Sequence, residues 1–234
     1  MIDDAIKALR DGKIICLYDY DNREKETDLV VAAEFVTPRT VYQLRRDAGG
    51  LMCVAIDPVA CENLGIPYIA DVLRYAGNGG NGFGAIESIY EKAGDVPYDT
   101  KSSFSLWVNH RQVFTGITDV DRALTITELA NITRSALNGN QISFGAMFRS
   151  PGHVPLLRAA PRLLHDRRGQ TELSIVLARA AGVTPAVAMC EMLDGETGRA
   201  LTKDDAVRYA EKNGLAFVEG KEVEALFATM RNGL

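Results

Sequence analysis

Cysteine is scarce in this chain: four residues in 234 (Cys16, Cys53, Cys61 and Cys190), with no two in CxxC spacing. That pattern excludes a zinc knuckle and a disulfide scaffold. Three of the four sit inside apolar runs, where a thiol behaves as a small buried hydrophobe, and free thiols imply a reducing compartment. Long apolar runs are missing as well. No window approaches the roughly 20 apolar residues that a membrane span needs, and the longest stretch, around 173–190, is broken by Arg179, Gly182 and Pro185. The first residues, Met1-Ile2-Asp3-Asp4, are acidic where a signal peptide is basic. Positive charge is in short supply: 26 Lys and Arg stand against 31 Asp and Glu, a net charge of -5. Nucleic-acid binders usually present a basic face. The expectation is therefore a cytoplasmic protein with neither nucleic acid nor membrane as a partner. A small anionic ligand stays compatible, because a local basic cluster can hold a phosphate within an acidic protein.

What the chain does have is a hydrophobic fraction of 47%, enough for a sizeable core, cut into short segments. Residues 3–11 predict an amphipathic helix with Ile6 and Leu9 on one face, ended by Gly12. Lys13 to Tyr18, Leu29 to Ala33 and Leu51 to Ile56 read as buried strands, and 38–47 as a helix with Pro38 in its first turn. The glycine-rich segment 77–84 reads as a flexible surface loop; it lacks the lysine of a P-loop. Ser102 to His110 alternates like a strand, 119–137 reads as a helix, and 153–160 as an edge strand because Pro155 cannot donate to a ladder. A helix over 171–181 is expected with Thr171 as its N-cap, then a strand ending at Glu191, a helix opened by Thr202, a short strand at 216–218 and a last helix over 221–231. There is no repeat and no linker. Interleaved strands and helices predict one α/β-type domain over 1–234 with a mixed sheet.

Three clusters and one isolated residue carry candidate chemistry. Asp19 to Asp28 (DYDNREKETD) follows a buried strand directly, and strand ends are where open sheets bind ligands. In an extended segment Glu24, Glu26 and Asp28 share one side, and a divalent cation would relieve their repulsion; a solvated charged loop is the alternative reading. Arg149-Ser150-Pro151-Gly152-His153 joins a cation, a tight turn and an imidazole suited to proton transfer. An ordinary turn with an exposed His is equally compatible. Arg167-Arg168-Gly169-Gln170-Thr171-Glu172 places two guanidinium groups before a helix start, which suits a phosphate or is only a basic turn. Glu191 closes an apolar strand, either exposed at the sheet edge or held with a raised pKa.

Together these segments resemble the 3,4-dihydroxy-2-butanone 4-phosphate synthases, most closely their stand-alone archaeal form. The marks are YDYDNREKETD (18–28), DAGGLMCVA (47–55), TGITDVDRALTI (115–126), RSPGHVPLLRA (149–159), RRGQTE (167–172) and CEM (190–192), in order over nearly the whole chain. The resemblance implies an α+β class, a single-domain α/β sandwich with a mixed sheet, working as a homodimer with shared active sites. It implies conversion of D-ribulose 5-phosphate to L-3,4-dihydroxy-2-butanone 4-phosphate and formate, in riboflavin biosynthesis. Mg²⁺ (or Mn²⁺) across vicinal oxygens would acidify the adjacent C–H in enediolate chemistry.

By the same resemblance Glu24 binds the metal, Arg23 and Asp28 contact the substrate, and Glu26 assists as a base or orienting acid. Asp19 and Asp21 count with the catalytic residues, and Cys53 lines the site. Arg149, Arg167, Arg168, Gly169 and Thr171 attend the phosphorylated substrate, with Arg167 and Thr171 holding its phosphate. His153, reaching across the dimer, and Glu191 are the proton-transfer groups. Two positions depart from the family pattern. Lys25 replaces a small or amide residue, and strand alternation turns it outward. Gln170 stands where the family has a metal-binding His. Mg²⁺ accepts amide oxygens, so Gln170 stays a candidate ligand with lowered activity; a non-catalytic sugar-phosphate-binding relative is the alternative.

Overall fold

Several strands have no polar face to turn toward water, and such strands need a helical layer on each side. The computed structural model, which describes residues 2–78 and 84–230, has that arrangement. Its strands are β1 (Ile15–Tyr18), β2 (Thr27–Ala32), β3 (Cys53–Ile56), β4 (Phe104–His110), β5 (Phe148–Arg158), β6 (Ala186–Glu191) and β7 (Phe217–Glu219). Its helices are α1 (Ile2–Arg10), α2 (Pro38–Gln43), α3 (Pro58–Leu64), α4 (Ile69–Asn78), α5 (Gly84–Ile89), α6 (Asp119–Leu137), α7 (Phe144–Met147), α8 (Gln170–Ala181), α9 (Lys203–Asn213) and α10 (Gly220–Thr229).

The strands form one sheet in the order β4-β5-β3-β6-β2-β1-β7. β5 runs parallel to β3 and β1 parallel to β7; the other neighbours are antiparallel, so the sheet is mixed. Because side chains alternate along a strand, β1 sends Ile15 and Leu17 into the core shared with α1, α8 and α10. It sends Cys16 into the core shared with α6 and α9. The predicted α6 has the bounds expected for it, and Thr118 caps it by accepting from the Asp121 N–H. Thr202 caps α9 in the same way.

Four expectations change. β5 is not an edge strand: it lies between β4 and β3. Pro155 is tolerated there because it sits opposite Trp107, between two shifts of register in the β4–β5 ladder. Thr171 does not cap α8. The helix begins one residue earlier, on the extended Gly169, and the Thr171 hydroxyl instead meets Ser103 Oγ at 2.9 Å. The helix expected over 38–47 ends at Gln43 and continues as a wider π turn over Leu44–Ala48, closed by Gly49 at φ 87°. Residues 21–24 are a turn and 25–26 are irregular rather than an extended strand, with Lys25 exposed at φ 61°. Of the glycine-rich segment, 79–83 lies outside the described residues, while Gly77 and Asn78 end α4 and Gly84 begins α5.

At the end of β3 away from Cys53, Asp57 follows the strand. Its Oδ1 caps α3 by accepting from Val59 N (2.9 Å), and its Oδ2 meets Arg179 of α8 at 2.6 Å. The carboxylate thus ties a strand end to helices on both faces while being 1% exposed. Asp57→Ala removes the cap and one half of a buried ion pair, and is expected to lower the unfolding free energy by about 3 kcal/mol in urea titration, with the fold's secondary structure retained.

Candidate active site

The register of the sheet brings two carboxylates face to face. In the antiparallel β2–β6 pair Asp28 is the direct partner of Glu191, and on the next strand Cys53 is the partner of Met189. Like charges directly opposite on a sheet repel, and here the repulsion is undiluted by water: Asp28 is 2% exposed. Burial pushes the Asp28 carboxyl well above its ordinary range, and Glu191 pushes it further. Burial also raises Glu191, opposed by its own backbone N–H and by that of Leu51, which donates to Glu191 Oε2 at 2.8 Å. Gly50 is required beside it, since a Cβ there would lie 2.5 Å from Glu191 Oε2. Glu26 is pushed up to about 7, first by burial and then by Glu24, Glu191 and Asp19. Carboxyls poised near neutrality in a cleft are the groups that move protons.

A cavity of about 320 Å³ is lined by Glu24, Asp28, Cys53 and Glu191 together with Arg167, Gln170 and Thr171. The turn after β1 is organised by Asp19, which is 1% exposed and accepts from the N–H groups of Glu24 (2.9 Å) and Glu26 (3.1 Å). Asp19 therefore shapes the loop that presents the other carboxylates. Arg23 pairs with Glu24 at 2.7 Å and Arg167 with Glu172 at 2.8 Å. Glu172 is fully buried on α8 and also accepts from Ala160 N, so it holds the Arg167 guanidinium at the N-terminal end of the helix. A side chain at Gly169 would collide with that guanidinium, which explains the glycine.

Eight sequence-predicted residues do not line this cavity: Asp19, Glu26 and Gly169 stand next to residues that do, Arg23 lines a neighbouring cleft, and Asp21, Arg149, Arg168 and His153 are the other four. Asp21 is exposed, accepts from Tyr18 Oη at 2.8 Å and lies near Lys203. Arg168 stacks on Tyr20 and pairs with Glu224 at 2.8 Å, beside a neighbouring cleft. Arg149 and His153 lie exposed on the outer part of β5. There Asn109 Oδ1 accepts from His153 N at 2.8 Å and Asn109 Nδ2 lies 3.1 Å from His153 Nδ1. Spacing within each motif could not say which members converge, because convergence depends on strand order. Conversely, Asp99, Glu172, Ser103 and Tyr98 belong to the site and were not singled out as site residues. Glu172 alone carried a hint, as the acidic end of RRGQTE.

Among the described residues no three His, Cys, Asp or Glu side chains come together as a metal cage. The donors nonetheless fit a hard divalent cation. Gln170 Nε2 donates to Leu17 O (3.1 Å) and Glu26 O (3.0 Å), which uses both amide hydrogens and fixes the amide orientation. Gln170 Oε1 is left buried without a hydrogen-bond partner, and so is Asp28 Oδ1. Orphaned buried acceptors beside a crowd of carboxyls call for a cation, and Mg²⁺ takes a few protein oxygens and completes its shell with water and substrate.

Comparison with known proteins agrees with this geometry. The family model for 3,4-dihydroxy-2-butanone 4-phosphate synthase matches residues 3–226. The synthase of Methanosarcina mazei is 53% identical over 222 residues, covering 95% of this chain and 89% of its own. That of Archaeoglobus fulgidus is 51% identical, covering 94% of this chain and 91% of its own. A crystal structure of 3,4-dihydroxy-2-butanone 4-phosphate synthase in complex with two magnesium ions superposes with a TM-score of 0.77 at 26% identity, covering 100% of this chain and 99% of that one. With buried carboxyls, an orphaned amide oxygen and paired arginines around one cavity, and with these matches along nearly its whole length, the chain belongs to the 3,4-dihydroxy-2-butanone 4-phosphate synthase family.

Proposed function

We propose that this chain is a lyase that converts D-ribulose 5-phosphate to L-3,4-dihydroxy-2-butanone 4-phosphate and formate for riboflavin biosynthesis, in the cytoplasm. The observation that carries the reading is the pair of orphaned acceptors, Gln170 Oε1 and Asp28 Oδ1, on residues that line one cavity with Glu191 and Arg167. Arg167, Arg23, the Thr171 hydroxyl and the free N–H groups at the start of α8 hold the substrate's phosphate. That anchoring lays the sugar carbons along Cys53 toward Glu191. Glu24 and Gln170 hold Mg²⁺, or Mn²⁺, with Asp28 within reach of the substrate's hydroxyls. Held by these residues, the metal would supply Lewis-acid chemistry that acidifies a substrate C–H. Glu26 and Glu191 exchange the protons, since burial raises both carboxyls and brings Glu26 to about 7.

His153 is assigned to the neighbouring subunit's site in a homodimer. Support comes from its exposed place on β5 and from Asn109, which meets both His153 and the Thr115 carbonyl in a segment where Phe114 (94%), Ile117 and Val120 are exposed. An apolar surface of that kind marks an association face. No helix among the described residues is long and apolar enough to cross a membrane.

Formate release from ribulose 5-phosphate is expected with Mg²⁺ and not after chelation. Gln170→Ala should lower kcat/KM by roughly 100-fold, whereas Gln170→His should keep turnover; a Gln170→Ala enzyme as active as wild type would remove Gln170 from the metal. Mixed His153→Ala and Glu24→Ala chains should regain formate release as heterodimers, and silence in verified heterodimers would count against a shared site. The raised carboxyls also give stability a pH dependence. The folded chain holds the Glu26 proton up to about 7 whereas the unfolded chain releases it near 4.5, so stability falls as pH rises between those values, with Asp28 and Glu191 acting in the same direction. Mg²⁺ should therefore raise the melting temperature more at pH 8 than at pH 5, as measured by thermal unfolding at both.

A further inference from the structure

Asp99 lies in the irregular segment between α5 and β4, and its carboxylate sits between two arginines. A single oxygen, Oδ2, meets Arg23 Nη2 at 2.6 Å and Arg167 Nε at 2.7 Å, while Oδ1 accepts from Thr100 N at 2.8 Å. The Asp99 side chain is only 8% exposed and those of Arg23 and Arg167 are 7% and 11% exposed, so the bridge is largely withdrawn from water. Neither arginine needs Asp99 to hold its position. Arg23 is already paired with Glu24 at 2.7 Å, and Arg167 with the fully buried Glu172 at 2.8 Å. Asp99 is the additional anion, and with both arginines it lines the cleft next to the candidate active site, whose own wall Arg167 also forms.

We propose that Asp99 is a built-in competitor for the substrate's phosphate, a specificity residue that occupies the two-arginine seat until a phosphorylated sugar displaces it. The inference rests on the reading that Arg23 and Arg167 take the phosphate. A phosphate dianion offers three oxygens and about two charges to this pair of guanidinium groups, where a carboxylate offers two oxygens and one charge. The dianion therefore displaces Asp99, whereas an uncharged pentulose cannot. The carboxylate raises the threshold for occupancy and so favours phosphorylated over free sugars by opposing the wrong ligand. The same competition lowers the apparent affinity for every anion by the fraction of chains whose seat is free.

The test is calorimetric titration of the full chain with inorganic phosphate, comparing wild type, Asp99→Asn and Arg167→Ala, each checked for folding by thermal unfolding. Asp99→Asn keeps the side-chain size and removes the charge. It should bind phosphate about tenfold more tightly than wild type, which corresponds to a seat free in roughly a tenth of wild-type chains, and Arg167→Ala should abolish binding. Should Asp99→Asn fail to fold, Asp99→Ser, which also lacks the charge, gives the same comparison. If Arg167→Ala abolishes binding while removal of the Asp99 charge leaves it unchanged or weaker, Asp99 positions the arginines and competes with nothing, and the proposal is overturned with the phosphate seat intact. Phosphate binding that survives Arg167→Ala, or that is absent from both wild type and Asp99→Asn, overturns the seat itself and the proposal with it.

Discussion

Two carboxyls that cannot both be comfortably charged, Asp28 and Glu191, are locked opposite one another by the β2–β6 register. Much of the surrounding architecture answers to that constraint. Gly50 leaves room for the Glu191 side chain and the Leu51 N–H steadies one of its oxygens. The turn after β1, knitted by Asp19, brings Glu24 and Glu26 near the same pair and adds to the repulsion. Only protons or a cation relieve such a cluster, and both are agents of the chemistry proposed for it. The sheet register is rigid, so the tension cannot relax by moving the strands apart.

The buried acids of this protein divide by environment rather than by type. Asp57 and Glu172 each face a guanidinium and serve to hold a helix or an arginine in place, and Asp99 bridges two arginines. Glu26, Asp28 and Glu191 are raised by burial and by one another. A carboxylate matched to an arginine is a strut, whereas unmatched carboxyls grouped at a cavity are candidates for metal binding and proton transfer. Gln170 follows the same logic in neutral form: its amide hydrogens are consumed by Leu17 and Glu26 carbonyls, and its oxygen remains for the cavity.

Local pattern and tertiary arrangement contributed in different ways. The apolar runs that became β1, β2, β3 and β6 were legible because a strand buried on both faces needs only short stretches of hydrophobic residues. Helix α6 was legible to the residue over 119–137, and the structure adds its Thr118 cap. Pro155 misled, since a proline argues for an edge and a register shift in a central strand accommodates it equally well. Thr171 misled for a related reason: a hydroxyl near a helix start caps only if the helix starts immediately after it, and Ser103 claimed it instead.

Glu24, Asp28, Arg167, Gln170, Thr171 and Glu191 were all visible in the sequence as residue types in motifs, and the structure gathers them around one cavity. Motif membership did not separate them from Asp21, Arg149, Arg168 and His153, which stand elsewhere on the chain's surface. Asp99 was invisible, because a lone acid in an irregular segment has no period, cap or spacing to betray it. The sequence by itself determined which segments form strands and helices and which of them bury, since hydrophobic periodicity and chain-breaking residues are properties of neighbouring positions. Which charges meet was decided only by the tertiary structure, through the order β4-β5-β3-β6-β2-β1-β7 and its register, because a contact between Asp28 and Glu191 or between Asp99 and Arg167 is a relation between distant segments that no local pattern encodes.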